Sequence, residues 1–207
     1  METLHKHGIT RVPAVITGGR AVHGWNPAAV AELVGVTYDD ALALPLPELQ
    51  ARLDTILQAA QRAIMQVPAQ HVHMRTPGRD RSVHQLVYHL FRVGQAYRDA
   101  REQGYLPEAW FEAQPPPDMP DMASIVQYGE KVRKGLQDWC ERSETFEGTV
   151  ATYYGPQPAA AFFQRTVWHT AQHLRQLYAL LDQMGVTPEE PLAAEDFAGL
   201  PLPQSVW

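Results

Sequence analysis

The residues of this chain best suited to chemistry are three histidines: His89, His169 and His173. His169 and His173 are four apart. On a helix that spacing puts both imidazoles on one face, one turn apart, so both can reach a single ion without bending the helix. Phe162, Leu177, Leu180 and Met184 fall on the same stripe, so the pair points inward. His89 lies between Leu86 and Val93 on another helical stripe and also points inward. Burying neutral imidazoles costs free energy unless each finds a partner. One divalent metal satisfies all three, and three protein ligands with positions left open is the pattern of a catalytic metal site. Imidazole suits Zn, Ni, Fe or Cu, and the spacing does not choose among them. HxxxH pairs occur on many helices that bind nothing, and a lone inward histidine is more often a hydrogen-bonded core residue. The three together carry the metal expectation.

Gln172, Arg175, Gln176 and Tyr88 lie next to these histidines in sequence. A metal-bound histidine usually donates its second ring N–H to an oxygen, and among the four the glutamines accept most readily. The other histidines read as solvent or packing residues: His5, His7 and His23 near the N-terminus, His71 and His73 in a loop, and His84, roughly 140° round the helix from His89. Cys140 is the only cysteine, so an intramolecular disulfide, a CxxC redox pair and a cysteine zinc site are excluded. It reads as a small core residue whose acidic neighbours raise its pKa.

Four helices must position these residues. The first spans about Pro47 to Gln66, with Leu49, Leu53, Ile56, Leu57, Ala60 and Ile64 at helical spacing. The second runs from Ser82 to about Gln103, opened by a Ser82/Gln85 capping box. The third spans about Asp121 to Arg142. The fourth spans about Pro158 to Met184 and is stopped by Gly185 and Pro188. Long joins at 67–81 and 104–120, the latter proline-rich, indicate a bundle with crossover connections.

The expected division is residues 1–36, a bundle over 45–185, and an apolar, proline-rich tail over 186–207 packed on something. In the first part, Arg11–Thr17 and Arg20–His23 read as strands around a Gly18-Gly19 turn. Asn26-Pro27 opens a short helix that Gly35 ends. Such a unit is too small to bury a core alone. It is expected to lean on the bundle, on a second chain in a homodimer, or on upstream sequence.

The net charge is −6 and no Lys/Arg block occurs, which argues against a nucleic-acid partner. No apolar run of membrane-spanning length and no signal-peptide pattern appear. A cytoplasmic protein acting on a small molecule is the expectation.

Residues 82–93, SVHQLVYHLFRV, resemble the second-helix motif of the DinB/YfiT-like metalloprotein superfamily. Residues 168–176, WHTAQHLRQ, resemble its fourth-helix HxxxH motif. The resemblance covers roughly 140 residues. It implies a mostly α fold, a DinB-like four-helix bundle, with His89, His169 and His173 ligating one divalent metal at one end. It also implies kinship with transferases and isomerases in which a low-molecular-weight thiol acts near the metal. Residues 8–25, GITRVPAVITGGRAVHGW, resemble the C-terminal half of a glutaredoxin. There a strand with Val-Pro precedes a hairpin and the last helix, and the cis proline touches the bound thiol. That assigns Val12 and Pro13 as a thiol contact, with the Val12-Pro13 bond cis. The redox cysteine motif and the first half of that fold are missing, so redox activity is not inferred. The chain reads as the later part of a longer glutaredoxin–bundle fusion, or else Pro13 is an ordinary edge-strand proline.

Two functions stay open. One is a metal-dependent enzyme, a thiol-dependent S-transferase or a hydrolase using a metal-activated thiol or water. The other is a non-catalytic metal-binding or sensor protein. An acid–base residue near the ligands would discriminate them, and Glu130 and Asp182 are the candidates.

Overall fold

The computed structural model describes residues 14–23, 26–38, 44–142 and 146–207. Val12 and Pro13 lie outside these residues, as do His5 and His7.

The N-terminal segment folds locally. Strands β1 (Ala14–Thr17) and β2 (Arg20–His23) pair antiparallel, with Thr17 opposite Arg20. Gly18 and Gly19 both have positive φ, 53° and 77°, as a two-residue turn matched to strand twist requires. Helix α1 (Pro27–Val34) is capped by Asn26, whose Oδ1 accepts from the Ala29 N–H at 3.0 Å. Its Ala31 and Leu33 are buried but lie outside the bundle core.

The bundle consists of α2 (Leu46–Met65), α3 (Val83–Gln103), α4 (Met122–Glu141) and α5 (Ala159–Gln183). Two of them start where a side-chain cap satisfies the first free N–H groups. The Ser82/Gln85 capping box opens α3, with Ser82 Oγ accepting from Gln85 N at 3.2 Å. Asp121 and Ser124 form the equivalent box for α4. Helices α2 and α5 start at Pro45 and Pro158 instead, without a side-chain cap.

Both α2 and α3 pack against α4 and α5, while α2 and α3 barely touch. They therefore face each other across the diagonal. The 66–82 join crosses the bundle, as expected of a crossover. The 104–121 join instead links the neighbours α3 and α4. The other crossing is made after α4, where the chain passes through β4 (Thr149–Thr152) and β5 (Gln157–Pro158) before α5. Together with β3 (Tyr105–Leu106) these make a small sheet in the order β3-β4-β5, the first pair parallel and the second antiparallel. Two-residue strands carry no periodic signal, so alternation could not reveal them. The 104–121 join also contains a one-turn helix, Ala109–Glu112.

Apolar stripes of all four helices meet in one core, with Ile56, Ile64, Leu86, Leu90, Phe91, Leu174 and Leu177 completely buried. The segment after α5 runs back along the bundle. Arg52 donates to the Glu195 and Asp196 carbonyls, Leu192 N–H donates to Tyr178, and Leu200 enters the core. No helix among the described residues is long and apolar enough to cross a membrane.

The approach of α3 and α4 depends on Gly129, because a Cβ there would overlap the Phe91 ring. Gly129→Ala gains up to about 1 kcal/mol of helix propensity but overpacks a filled core, which costs about 1–3 kcal/mol. The variant should be less stable in urea unfolding; an equal or higher midpoint would contradict this packing.

Candidate metal centre

The diagonal arrangement makes α3 and α5 neighbours, and that adjacency brings His89 to the HxxxH pair. The ring centroids are 5.4 Å apart for His89–His169, 4.9 Å for His89–His173 and 4.7 Å for His169–His173. One ring nitrogen from each lies within 4.8 Å of the others. The three could therefore hold a single ion between them.

The hydrogen bonding around the rings tests that fit. His173 Nδ1 is 2.8 Å from Gln176 Oε1. The Gln176 amide is oriented from both sides: Arg81 Nη2 donates to Oε1 at 3.0 Å, and Nε2 donates to the Val206 carbonyl at 3.0 Å. An amide oxygen can only accept, so His173 carries its proton on Nδ1 and presents the bare lone pair of Nε2. That Nε2 is buried with no hydrogen-bond partner, and so is His169 Nδ1. The His89 ring packs edge-on against the Phe111 ring, with centroids 6.0 Å apart. Buried, unpartnered ring nitrogens in a convergent trio, one of the rings steadied by an outer oxygen acceptor, are what a metal site requires of its protein. The residues fit a divalent ion.

The flanking residues divide in a way their sequence positions did not show. Only Gln176 reaches a ring of the trio. Gln172 donates to the Val206 carbonyl at 2.8 Å, and Arg175 donates to Gln172 Oε1 at 3.0 Å and to the Pro203 carbonyl at 2.8 Å. Both hold the C-terminal segment. Tyr88 turns the other way and stacks on Tyr128 at 5.2 Å. Neither acid–base candidate serves the site. Glu130 sits among Arg133, Lys134 and Gln61, whose hydrogen bonds hold its carboxyl down at about 2. Asp182 is exposed near the end of α5. His84 faces His73, with centroids 6.0 Å apart, and stays out of the trio. Cys140 is half-buried beside Gln50 and Glu141; burial, more than the neighbouring acid, pushes its thiol up.

Several contributors were not visible in the sequence. Phe111, on the one-turn helix, packs against both His89 and His169 at about 6 Å; the paired Trp110-Phe111 inside a polar loop was the available signal. Arg79 and Arg81 come from the 67–81 join. A cavity of about 310 Å³ opens over His169 and His173, walled by Arg79, Arg81, Trp168, Val206 and Trp207.

Burial, followed by the charges of Arg81 and Arg79, pushes His89 down to about 3. Burial likewise holds His169 and His173 well below the ordinary 6.5, with the neighbouring imidazoles and arginines adding to it. The imidazoles are neutral and ready to ligate at physiological pH. The unfolded chain binds protons below 6.5 that the folded, metal-free chain does not, so stability should be full above that pH and fall on acidification. The slope is about 1.4 kcal/mol per pH unit for each histidine titrating only in the unfolded state. Thermal unfolding of metal-free protein between pH 7.5 and 5 should show this fall, and a flat profile would contradict neutral, buried rings.

A model of the DinB superfamily matches residues 48–177. No curated protein matches the chain. The matched stretch contains all three histidines, the whole of α3, most of α5 and most of the bundle. It begins after the hairpin segment, so the glutaredoxin resemblance of residues 8–25 receives no support from it. By the extent of that match, this chain belongs to the DinB superfamily.

Proposed function

We propose that this protein is a divalent-metal enzyme that joins a low-molecular-weight thiol to a small electrophile, with His89, His169 and His173 as the metal ligands. The carrying observation is the pair of buried, unpartnered nitrogens, His169 Nδ1 and His173 Nε2, in two side chains that line a cavity large enough for a small molecule. A bound ion would act as a Lewis acid, lowering the pKa of a thiol or water placed at its open positions.

The lining of the cavity favours the thiol. Activating water for attack normally draws on a general base within hydrogen-bond reach, and no aspartate or glutamate is among the residues that line this cavity. A thiol coordinated to such an ion loses its proton outright and needs no base. The protein's share of the work is then binding and orientation. Gln176 fixes the His173 tautomer. Phe111 packs its ring against His89 and His169. Trp168, Val206 and Trp207 form apolar walls that limit water around the reacting sulfur. Cys140 lines a separate cavity between α2 and α4 and has no part in this chemistry.

Protein purified without a tag or chelator should carry about one divalent ion per chain. His169→Ala and His173→Ala should each remove it. Unchanged metal content in the triple alanine variant would overturn the ligand assignment.

Cobalt-substituted protein tests the thiol step. Sulfur ligation should add near-ultraviolet charge-transfer absorption when a small thiol is added, and a Cys140→Ser background should leave that band intact. The band should weaken at low pH, where protons compete for sulfur and imidazole alike. Silence with every common low-molecular-weight thiol would reject the transferase reading and leave a water-activating or non-catalytic metal protein.

A further inference from the structure

Two arginine side chains line the cavity over the histidines. Arg79 and Arg81 both line it, and no acid does. Arg165, one turn before His169, adds a third guanidinium, lying over the Phe111 ring at 5.5 Å and the Tyr154 ring at 4.9 Å. Among the described residues no carboxylate pairs with any of the three. The one acid in the loop, Asp80, is paired outward with Arg75. The loop itself is closed, by Thr76 N–H donating to the Arg81 carbonyl at 2.9 Å and by a bridge between Arg75 and Ser82. Arg79 and Arg81 are therefore carried on a closed loop, not on a loose one.

Arg81 spends Nη2 on Gln176, while its Nε is buried without a partner. A divalent ion held by the histidines would add positive charge to a cavity lined by no aspartate or glutamate. The lining also includes an apolar set, Pro77, Trp168, Pro203, Val206 and Trp207.

We propose that this cavity is a binding site for a small carboxylate with an apolar body, its carboxylate on Arg79 and Arg81 and its body against the tryptophan and proline wall. Guanidinium groups recognise planar carboxylates through paired N–H donors. The site is thereby given a substrate class: the molecule that meets the nucleophile is an organic anion. For its chemistry this rests on the function proposed above; the binding itself does not.

Benzoate and its neutral analogue benzamide serve as probes, titrated calorimetrically into metal-loaded and metal-free full-length protein. Benzoate should bind both forms, and benzamide should bind about tenfold more weakly or worse. Arg79→Gln and Arg81→Gln should each weaken benzoate about tenfold or more. Arg79 is exposed and touches no ligand ring, so Arg79→Gln should keep its metal content and keeps the test valid even if Arg81→Gln misfolds. Equal affinity for benzamide, unchanged benzoate affinity in Arg79→Gln, or no binding of benzoate would each overturn the proposal. Binding confined to metal-loaded protein and indifferent to Arg79 would mean a ligand of the ion alone, and would overturn it too. Arg79-dependent binding by protein that takes up no metal would uphold the anion site while rejecting the metal enzyme.

Discussion

Three imidazoles clustered inside a helical bundle need a common partner. Each ring nitrogen left without one costs a desolvation penalty of about 1–3 kcal/mol, and two of them, His169 Nδ1 and His173 Nε2, are left in that state. The Gln176 amide keeps the unsatisfied lone pair of His173 aimed inward. It accepts from His173 and Arg81 on its oxygen and donates to Val206 on its nitrogen. The tautomer of one histidine, the position of one arginine and the course of the C-terminal segment are thus tied to one side chain.

Helix packing supplies the other half of the constraint. A histidine on α3 reaches two on α5 only because these helices are neighbours, and they are neighbours because both long crossings pass over the diagonals. The Ser82/Gln85 box fixes where α3 starts, seven residues before His89. On the far side of α3, Gly129 admits the Phe91 ring and lets α4 close against it. The buried core is what holds the histidine-bearing helices in register.

Charge is arranged differently inside and outside the site. Around α4 the arginines are matched: Arg133 meets Asp54 at 2.9 Å and Glu130 at 3.1 Å. Around the histidines they are not. Burial, with these arginines adding to it, keeps the imidazoles neutral. The polar face of α5 beside that centre goes to binding backbone carbonyls of residues 203–206 through Gln172, Arg175 and Gln176. The wall of the cavity is in this way built from chain that is remote in sequence from the histidines.

Much of the architecture was already legible in the residues. The four amphipathic stripes, the capping box at Ser82, the stop at Gly185, the Gly18-Gly19 turn and the inward phase of the three histidines are local properties, set by side-chain period and backbone preference. They placed the helices to within a few residues and singled out the trio. Which join crosses which diagonal was not local, and the 104–121 join, proline-rich and long, turned out to link neighbours. Two-residue strands and a one-turn helix are too short for any period to show. Nor could sequence spacing divide Gln176, which reaches a histidine, from Gln172 and Arg175, which hold the tail, since all three sit within one turn of His173. The arginine pair was equally hidden, because Arg79 and Arg81 belong to a loop with no pattern of its own. Period and propensity act within a turn or two of helix; the meeting of the loop, the tail and two helices over one cavity is decided by the packing of the whole chain.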